Sequence, residues 1–413
     1  MDVQLTKFIS NDRWLVSITI IGLAFYVGMT GFVVLHDKPL DYYMYLISSY
    51  ALGHGENIYA LPASAYERIA QHLGIVTKTT PYGYPTFTAL LIYPLSFLPL
   101  RLGATIWVGL SGLAALASGL ILCSFTVEKW KQRVILVSTI AFVPVMTTMN
   151  AGQVNLFVLL TTVLSLYCLR QDRNVLSGVI LAISIWLKPF AIALVPLMIW
   201  RRKWKALGGF LLGSLIINLI SLVVFGVAST ISQFTRVMSM VKPSGLYIAL
   251  TVQNLNGLLG RFTTGISAPT GSMIYLVVAG LIGVITVAAI VLKSDRRHFE
   301  IEAALLIAAT HLIVPLTWYH HLTMLILVLA FVLIYWNNFK FSMAAVLLLF
   351  GFIFTDIHGL LWKQLSNLHP VLSNFPVLTT LFLWGLALAK VYQSRDSSTI
   401  SKGSRGNLNA EPS

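Results

Sequence analysis

Long runs of apolar residues, separated by short polar loops, recur along the chain. The first run, WLVSITIIGLAFYVGMTGFVVL over residues 14–35, carries no charged side chain and is long enough to cross a bilayer as a helix. Backbone groups have no water to bond in lipid, so such runs are expected to be helical. The pattern predicts an all-α polytopic membrane protein. We count thirteen apolar segments, over residues 14–35, 84–98, 102–125, 134–149, 154–169, 175–187, 190–200, 206–225, 273–292, 303–314, 319–336, 343–354 and 377–391.

The loops between these segments differ in charge, and this difference predicts the orientation of the chain. Basic loops favour the cytoplasmic face, where we place the N-terminus and residues 128–133, 170–173, 201–205, 293–298 and the tail from 390. The opposite face then receives residues 36–83, 150–155, 188–189, 226–271, 317–321 and 355–374.

Thirteen crossings cannot leave both ends in the cytoplasm, so one segment is expected not to cross. Segment 84–98 is short and contains Pro85 and Pro94, with Pro99 just after it, which predicts a re-entrant or broken helix. The short segments on either side of Lys188 predict a hairpin that enters the membrane only part-way.

Composition and charge exclude other classes of protein. The chain of 413 residues is 57% hydrophobic and 10% charged, against about a quarter charged in an ordinary soluble protein. Its net charge of +14 could suit nucleic acid, but the basic residues cluster in short loops between the apolar segments. We therefore expect membrane lipids as surroundings, and no nucleic-acid partner. Residues 394–413 are polar and are predicted to form a disordered cytoplasmic tail.

The long first outer loop, residues 36–83, is the most informative segment. Residues 41–52 and 63–73 each predict a short amphipathic helix on the membrane surface, with tyrosines at headgroup level. Asp41 opens the first of them and could be only a helix N-cap. It could also be a general base, because partial burial raises the pKa of a carboxylate. The rival acids Asp37, Glu56 and Glu67 are expected to be solvated.

Further polar residues occur where segments meet the outer face. Gln153 and Asn155 could join helices or bind a ligand, and Lys188 could pair with a phosphate or extend to the interface. The amides Gln253 and Asn254, with Asn256 and Arg261 after them, could bind a headgroup or sugar, or form a capped turn. In TWYHH (317–321) an aromatic belt explains Trp318 and Tyr319, but it does not explain His320 and His321, which suit a phosphate better than a metal.

The predicted topology brings these residues, which are far apart in sequence, to one side of the membrane. An acid, cationic groups and amides at one interface suit a lipid-phosphate substrate and a sugar. A transporter or flippase for lipid-linked sugars is the alternative. It would show the same spans, but transporters often contain inverted repeats around a midplane site, and here the polar residues are one-sided. We find no nucleotide-binding motif and predict no cofactor and no metal.

Several motifs resemble glycosyltransferase family 87, the polyprenyl-phosphate-sugar-dependent membrane glycosyltransferases that include bacterial α-mannosyltransferases. The motifs that carry the resemblance are DYYMY (41–45), GHGENIYA (53–60), YGYPTF (82–87), YPLSFLP (93–99), NAGQVNLF (150–157), LAISIWLKPFAIALVP (181–196), RRKWK (201–205), QNLNGLLGRF (253–262) and TWYHH (317–321). Two positions depart from the family pattern, namely Thr86 in place of a second proline and the amide series beginning at Gln253.

The resemblance implies a GT-C fold of about 12 transmembrane helices in one domain over residues 1–393, with catalytic outer loop 36–83 and substrate-contacting outer loop 226–271. It implies inverting transfer of a hexose, above all mannose, from a polyprenyl-phosphate donor to a glycolipid or glycan acceptor. The active site would face the periplasmic side of the plasma (inner) membrane. Asp41 is then the expected base, with Lys188, His320 and His321 near the donor phosphate. Substrate contacts are expected from Tyr43, Tyr84, Gln153, Asn155, Gln253, Asn254, Arg261 and Trp318.

Overall fold

The computed structural model describes a chain of helices joined by short turns. The described residues are 12–36, 39–76, 82–240, 246, 249, 251–263, 265, 267–292, 299–336 and 374–406. Within these ranges there is no β-strand, and extended pairing is limited to one antiparallel bridge between Val252 and Trp318. The all-helical prediction is therefore confirmed for this part of the chain.

The α-helices are α1 (Arg13–His36), α2 (Leu40–Gly53), α3 (Ala63–His72), α4 (Thr86–Ile92), α5 (Leu100–Cys123), α6 (Lys129–Ala141), α7 (Val143–Ala151), α8 (Asn155–Arg170), α9 (Asn174–Leu187), α10 (Leu194–Trp200), α11 (Trp204–Met240), α12 (Leu255–Phe262), α13 (Ala268–Leu292), α14 (Phe299–Ile313), α15 (Leu325–Tyr335) and α16 (Phe375–Gly406). Short 3₁₀ helices cover Tyr93–Phe97, Pro189–Ala193 and Tyr319–Met324.

Six of the described helical segments have the length and composition of membrane spans. They are Arg13–His36, Leu100–Cys123, Lys129–Ala151, Trp204–Arg236, Ala268–Leu292 and Phe375–Gln393. Several shorter apolar helices pack among them, including α8, α9 and α15. The predicted membrane helices are thus confirmed in kind, while the total of about 12 crossings stays a prediction. The predicted segment 343–354 and the basic loop 293–298 lie outside the described residues.

The two helices predicted in the first outer loop are present, at Leu40–Gly53 and Ala63–His72. Most of Leu40–Gly53 is buried in the protein, and the location of the helices at the membrane surface stays a prediction. Segment 84–98 is a broken helix, as its prolines indicated. α4 ends at Ile92 and a 3₁₀ turn with Pro94 in its first turn continues to Phe97, because proline has no N–H to continue an α-helical ladder.

Helix α11 is longer than predicted. We expected the span to end at residue 225 and a loop to follow, but the helix continues to Met240 across a break at Gly226, whose φ is 74° and ψ is 174°. The part after Gly226 packs on the first outer loop and on the start of α4. Asn57 Nδ2 donates to Ser232 Oγ at 3.2 Å, and Thr86 Oγ1 donates to Gln233 Oε1 at 2.9 Å. The expected loop 226–271 therefore begins as a helix.

Helix α14 shows how the basic loops lie relative to the predicted outer residues. Near its start, Glu302 accepts hydrogen bonds from the Arg201 guanidinium, in the basic loop after α10. Near its end, His311 contacts the backbone carbonyl of His321. His311 follows Glu302 by nine positions in the helix, which is about 13 Å along the axis. The basic loop that contains Arg201 and the turn that contains His321 thus lie at opposite ends of the same helix.

Candidate active site

Asp41 lies in the first turn of α2 and faces the protein. Pro39 occupies the N-cap position and makes no side-chain capping bond, so the interpretation of Asp41 as the cap is wrong. The carboxylate instead accepts a hydrogen bond of 2.7 Å, from Gln153 Nε2 to Asp41 Oδ2. Asp41 lies in the chain between Leu40, which is exposed, and Tyr42, which is fully buried. Because the apolar face of α2 packs on the core, the carboxylate lies at the edge of that core.

The surroundings of Asp41 favour a proton-accepting role. Burial raises the pKa of this carboxyl group above its ordinary value, and the hydrogen bond from Gln153 and the charge of Lys188 only partly offset that effect. Two rival acids of the same loop, Glu56 and Glu67, are exposed, as predicted. The third, Asp37, lies outside the described residues.

The side chain of Gln153 is buried and links several groups at once. Its Oε1 accepts from the hydroxyl of Tyr45 at 2.8 Å and lies 3.5 Å from Lys188 Nζ. Its Nε2, besides donating to Asp41, is 2.9 Å from the hydroxyl of Tyr84. These partners leave the amide one orientation, with the nitrogen toward Asp41 and the oxygen toward Lys188.

Lys188 is brought inward by the local sequence. A residue before proline avoids the helical region, and Lys188, followed by Pro189, ends α9 in an extended conformation with φ −163° and ψ 127°. The buried Nζ donates to Asn155 Oδ1 at 2.9 Å and lies 2.7 Å from His321 Nε2. It also sits 5.1 Å from the centre of the Tyr84 ring, a cation–π distance.

The two consecutive histidines have different surroundings. His321 is the one whose ring contacts Lys188, and its Nδ1 accepts from the backbone N–H of Trp318 at 3.1 Å. His320 is held by its carbonyl oxygen, which accepts from Thr148 Oγ1 at 3.0 Å and from Asn155 Nδ2 at 2.9 Å. Its ring meets the His321 ring edge-on at 4.5 Å. Side chains of α7 and α8 therefore fix the turn that carries the pair.

The amide segment of the second outer loop runs beside this turn. The backbone N–H of Gln253 donates to Thr317 O at 2.7 Å, and that of Tyr319 to Thr251 O at 2.9 Å. Asn254 caps α12 by accepting from the N–H of Gly257 at 2.9 Å, so the capped-turn alternative holds for this residue. Gln253 thereby lies next to Trp318.

Two predicted site residues, Tyr43 and Arg261, lie apart from this network in the part of the chain that the structure describes, and Trp318 joins it only through its backbone and the His320 ring. Tyr43 packs against Tyr42, with ring centres 6.1 Å apart. Arg261 donates to the side chain of Asn374 and to the carbonyls of Ala249 and Val252, contacts that tie α12 to its surroundings. Trp318 is 42% exposed. Their roles as substrate contacts stay predictions.

Three residues of the site were not singled out from the sequence. Tyr45 was expected at headgroup level but is buried against Gln153. Thr148 gave no signal, because a threonine in an apolar segment commonly bonds its own helix. His311 did give one, since an ionisable residue within an apolar segment marks function by default.

The sequence model of glycosyltransferase family 87 matches residues 82–315, more than half of the chain. The matched region contains Tyr84, Gln153, Asn155 and Lys188, while Asp41 precedes it and His321 follows it. No curated protein and no solved structure matches the chain.

Proposed function

Because the chain belongs to glycosyltransferase family 87, we propose that it transfers a hexose from a polyprenyl-phosphate donor to a lipid-linked or glycan acceptor. Mannose is the first candidate for the sugar. Transfer inverts the configuration at the anomeric carbon, in a GT-C fold of about 12 transmembrane helices. The reaction takes place at the end of the protein away from the basic loops, which we assign to the periplasmic face of the plasma membrane.

One observation carries this proposal: Asp41, Gln153, Lys188 and His321 form a single chain of contacts. In an in-line displacement the base acts where the acceptor oxygen bonds the anomeric carbon, and the phosphate-binding groups act on its opposite side, where the bond to the phosphate breaks. Here a single amide side chain separates the carboxylate from the ammonium group. These residues come from α2, the α7–α8 turn, the end of α9 and the turn before α15, so the fold is what assembles them.

In the proposed reaction Asp41 removes the proton from an acceptor hydroxyl. The oxygen attacks the anomeric carbon in line, the bond from that carbon to the phosphate oxygen breaks, and the leaving phosphate keeps the electron pair. The leaving group gains one negative charge and needs charge stabilisation more than protonation. Lys188 supplies positive charge, and His321, whose Nδ1 accepts from Trp318, supplies a hydrogen bond from its Nε2–H. Water is scarce in this site, which strengthens each electrostatic interaction.

The remaining contacts keep the base and the phosphate site in place. Tyr45 and Tyr84 orient the Gln153 amide, and Asn155 joins Lys188 to the histidine turn. A general base must lie within hydrogen-bond reach of the proton that it removes. An acceptor hydroxyl that binds at the free side of the half-buried Asp41 satisfies this requirement.

The test is donor consumption by the purified protein in lipid. The protein is incubated with a panel of polyprenyl-phosphate sugars and one acceptor extract, and each donor is followed by mass spectrometry. We expect one donor to be consumed with formation of free polyprenyl phosphate, and no consumption by Asp41→Asn. Movement of intact donor between leaflets without its consumption would instead support the flippase.

A further inference from the structure

Helix α14 carries one buried histidine that the proposed reaction does not use. His311 is fully buried near the outer end of this helix. Its Nε2 lies 3.1 Å from the carbonyl oxygen of His321 and its Nδ1 lies 2.8 Å from that of Ile307. Burying an imidazole among apolar helices is costly unless its nitrogens are paired, so this position needs an explanation beyond filling space.

The contacts of His311 converge on the two elements that carry Lys188 and His321. Its ring stacks on Phe190, with centres 4.8 Å apart and planes at 25°. Phe190 belongs to the 3₁₀ turn directly after Lys188, and its ring lies 5.4 Å from Lys188 Nζ and 5.0 Å from the His321 ring. His311 thus touches the Lys188 side through a ring stack and the His321 side through a hydrogen bond.

The bond to the His321 carbonyl has a consequence for the His321 ring. Side chains from neighbouring helices contact two successive carbonyl oxygens of this turn. Thr148 and Asn155 bond the carbonyl oxygen of His320, and His311 bonds that of His321. The Trp318 N–H then fixes the His321 ring from the Nδ1 side. Without the bond from His311, the carbonyl of His321 loses this partner and the turn gains freedom to rotate.

From these contacts we infer that His311 is a positioning residue, which sets the spacing of Lys188 and His321 at the donor phosphate through a hydrogen bond from its Nε2–H to the carbonyl oxygen of His321. This inference rests on the proposed function. It assigns to His311 no contact with the substrate. Both ring nitrogens face carbonyl oxygens, which only accept, so a neutral ring can donate to one of them. The inference assigns the proton to Nε2 and leaves Nδ1 in contact with the Ile307 carbonyl without a hydrogen bond.

Three substitutions separate the hydrogen bond from the ring stack. His311→Phe keeps an aromatic ring against Phe190 and removes the donor. His311→Gln removes the ring and places an amide N–H near the position of Nε2–H, while His311→Asn is too short to do so. His72→Phe, at an exposed position of α3, is the matched control. Kinetic constants are measured per folded molecule, counted by size-exclusion chromatography.

We expect His311→Phe and His311→Asn to raise the KM for the polyprenyl-phosphate sugar about tenfold, the effect of one buried hydrogen bond, and to leave the acceptor KM unchanged. His311→Gln and His72→Phe should stay within about threefold of the wild type. A wild-type donor KM in folded His311→Phe overturns the inference, as does an equal loss in all three variants. If the Phe and Asn variants do not fold while the Gln variant is fully active, His311 is a stability residue, and the inference is overturned as well. Failure of the proposed function itself shows earlier, as a wild-type protein that consumes no donor.

Discussion

Gln153 Nε2 donates a hydrogen bond of 2.7 Å to Asp41 Oδ2, while the oxygen of the same amide faces Lys188 Nζ. The proposed base and the proposed phosphate-binding cation therefore share one neighbour. Whatever moves the Gln153 side chain moves the surroundings of both. This relationship gives the site several measurable properties.

The first prediction concerns Asp41→Asn. The amide cannot accept the proton of the acceptor hydroxyl, so transfer should fall by about a hundredfold or more. The variant should fold, because an amide of the same shape can still accept the bond from Gln153. Donor consumption measures the first effect and thermal melting in detergent the second. Glu67→Gln, an exposed acid on α3, is the control. Full activity of Asp41→Asn would sink the assignment of the base.

The second prediction concerns pH. Only the ionised form of Asp41 can take a proton, and burial raises its pKa above the ordinary value of 3.8. As pH falls, activity should therefore be lost at a higher pH than an ordinary carboxyl group would give. The pH dependence of kcat/KM reports ionisations of the free protein, so initial rates at donor and acceptor concentrations well below KM, measured across the acid range, show this inflection. An inflection at the ordinary carboxyl value would mean that the free enzyme's buried carboxyl is not the group that titrates.

The third prediction concerns Gln153→Glu. The substitution replaces an N–H donor with a carboxylate oxygen within hydrogen-bond distance of Asp41, and like charges at that distance disfavour ionisation. The acid inflection of the rate should move to higher pH. Gln71→Glu makes the same chemical change at an exposed position of α3 and should leave the profile in place. An unmoved profile in Gln153→Glu would contradict the link between this amide and the base.

The fourth prediction concerns Lys188→Gln. Loss of the buried ammonium group removes a charge from the donor phosphate site, and a hydrogen bond to a charged group contributes about 1.5–3 kcal/mol. The ratio kcat/KM for the donor should fall by about tenfold to a hundredfold. Lys205→Gln, an exposed lysine at the opposite end of the helices, should leave kcat/KM unchanged. Equal donor kinetics in both variants would remove Lys188 from the phosphate site.

The fifth prediction concerns Gly152→Ala. Gly152 has φ 68°, and a Cβ there would lie 2.7 Å from Tyr42 Cβ and 3.0 Å from Pro39 Cβ, so it would push the start of α2. Gly55→Ala is a matched control, since Gly55 has φ 77° with open space around it. Both should lose about 1–2 kcal/mol from backbone strain. Only Gly152→Ala should also lose transfer activity, and equal activity in the two would mean that α2 does not move.

Asp41, Gln153, Asn155, Lys188 and His321 could be predicted from the sequence one by one, but their contacts could not. Loop charge and apolar runs were enough to predict that Asp41, Lys188 and His321 lie on one side of the membrane. The partner of Gln153 depends on how α2 packs over the α7–α8 turn, which involves Gly152 and buried aromatic rings far apart in sequence. Loop composition alone could not tell that Arg261 bonds Asn374. Gly226 interrupts α11 with φ 74°, and the sequence after it was interpreted as a loop, so the helical turns up to Met240 were also missed.

The length of α11 has a consequence for where the protein meets water. Residues 204–225, before the break at Gly226, rise about 33 Å as a helix, close to the roughly 30 Å hydrocarbon thickness of a bilayer. That part of α11 is long enough to cross by itself, so the segment after Gly226 is not needed for the span. We therefore expect this segment, which bonds Asn57 and Thr86, to lie at headgroup depth and to form one wall of the first outer loop.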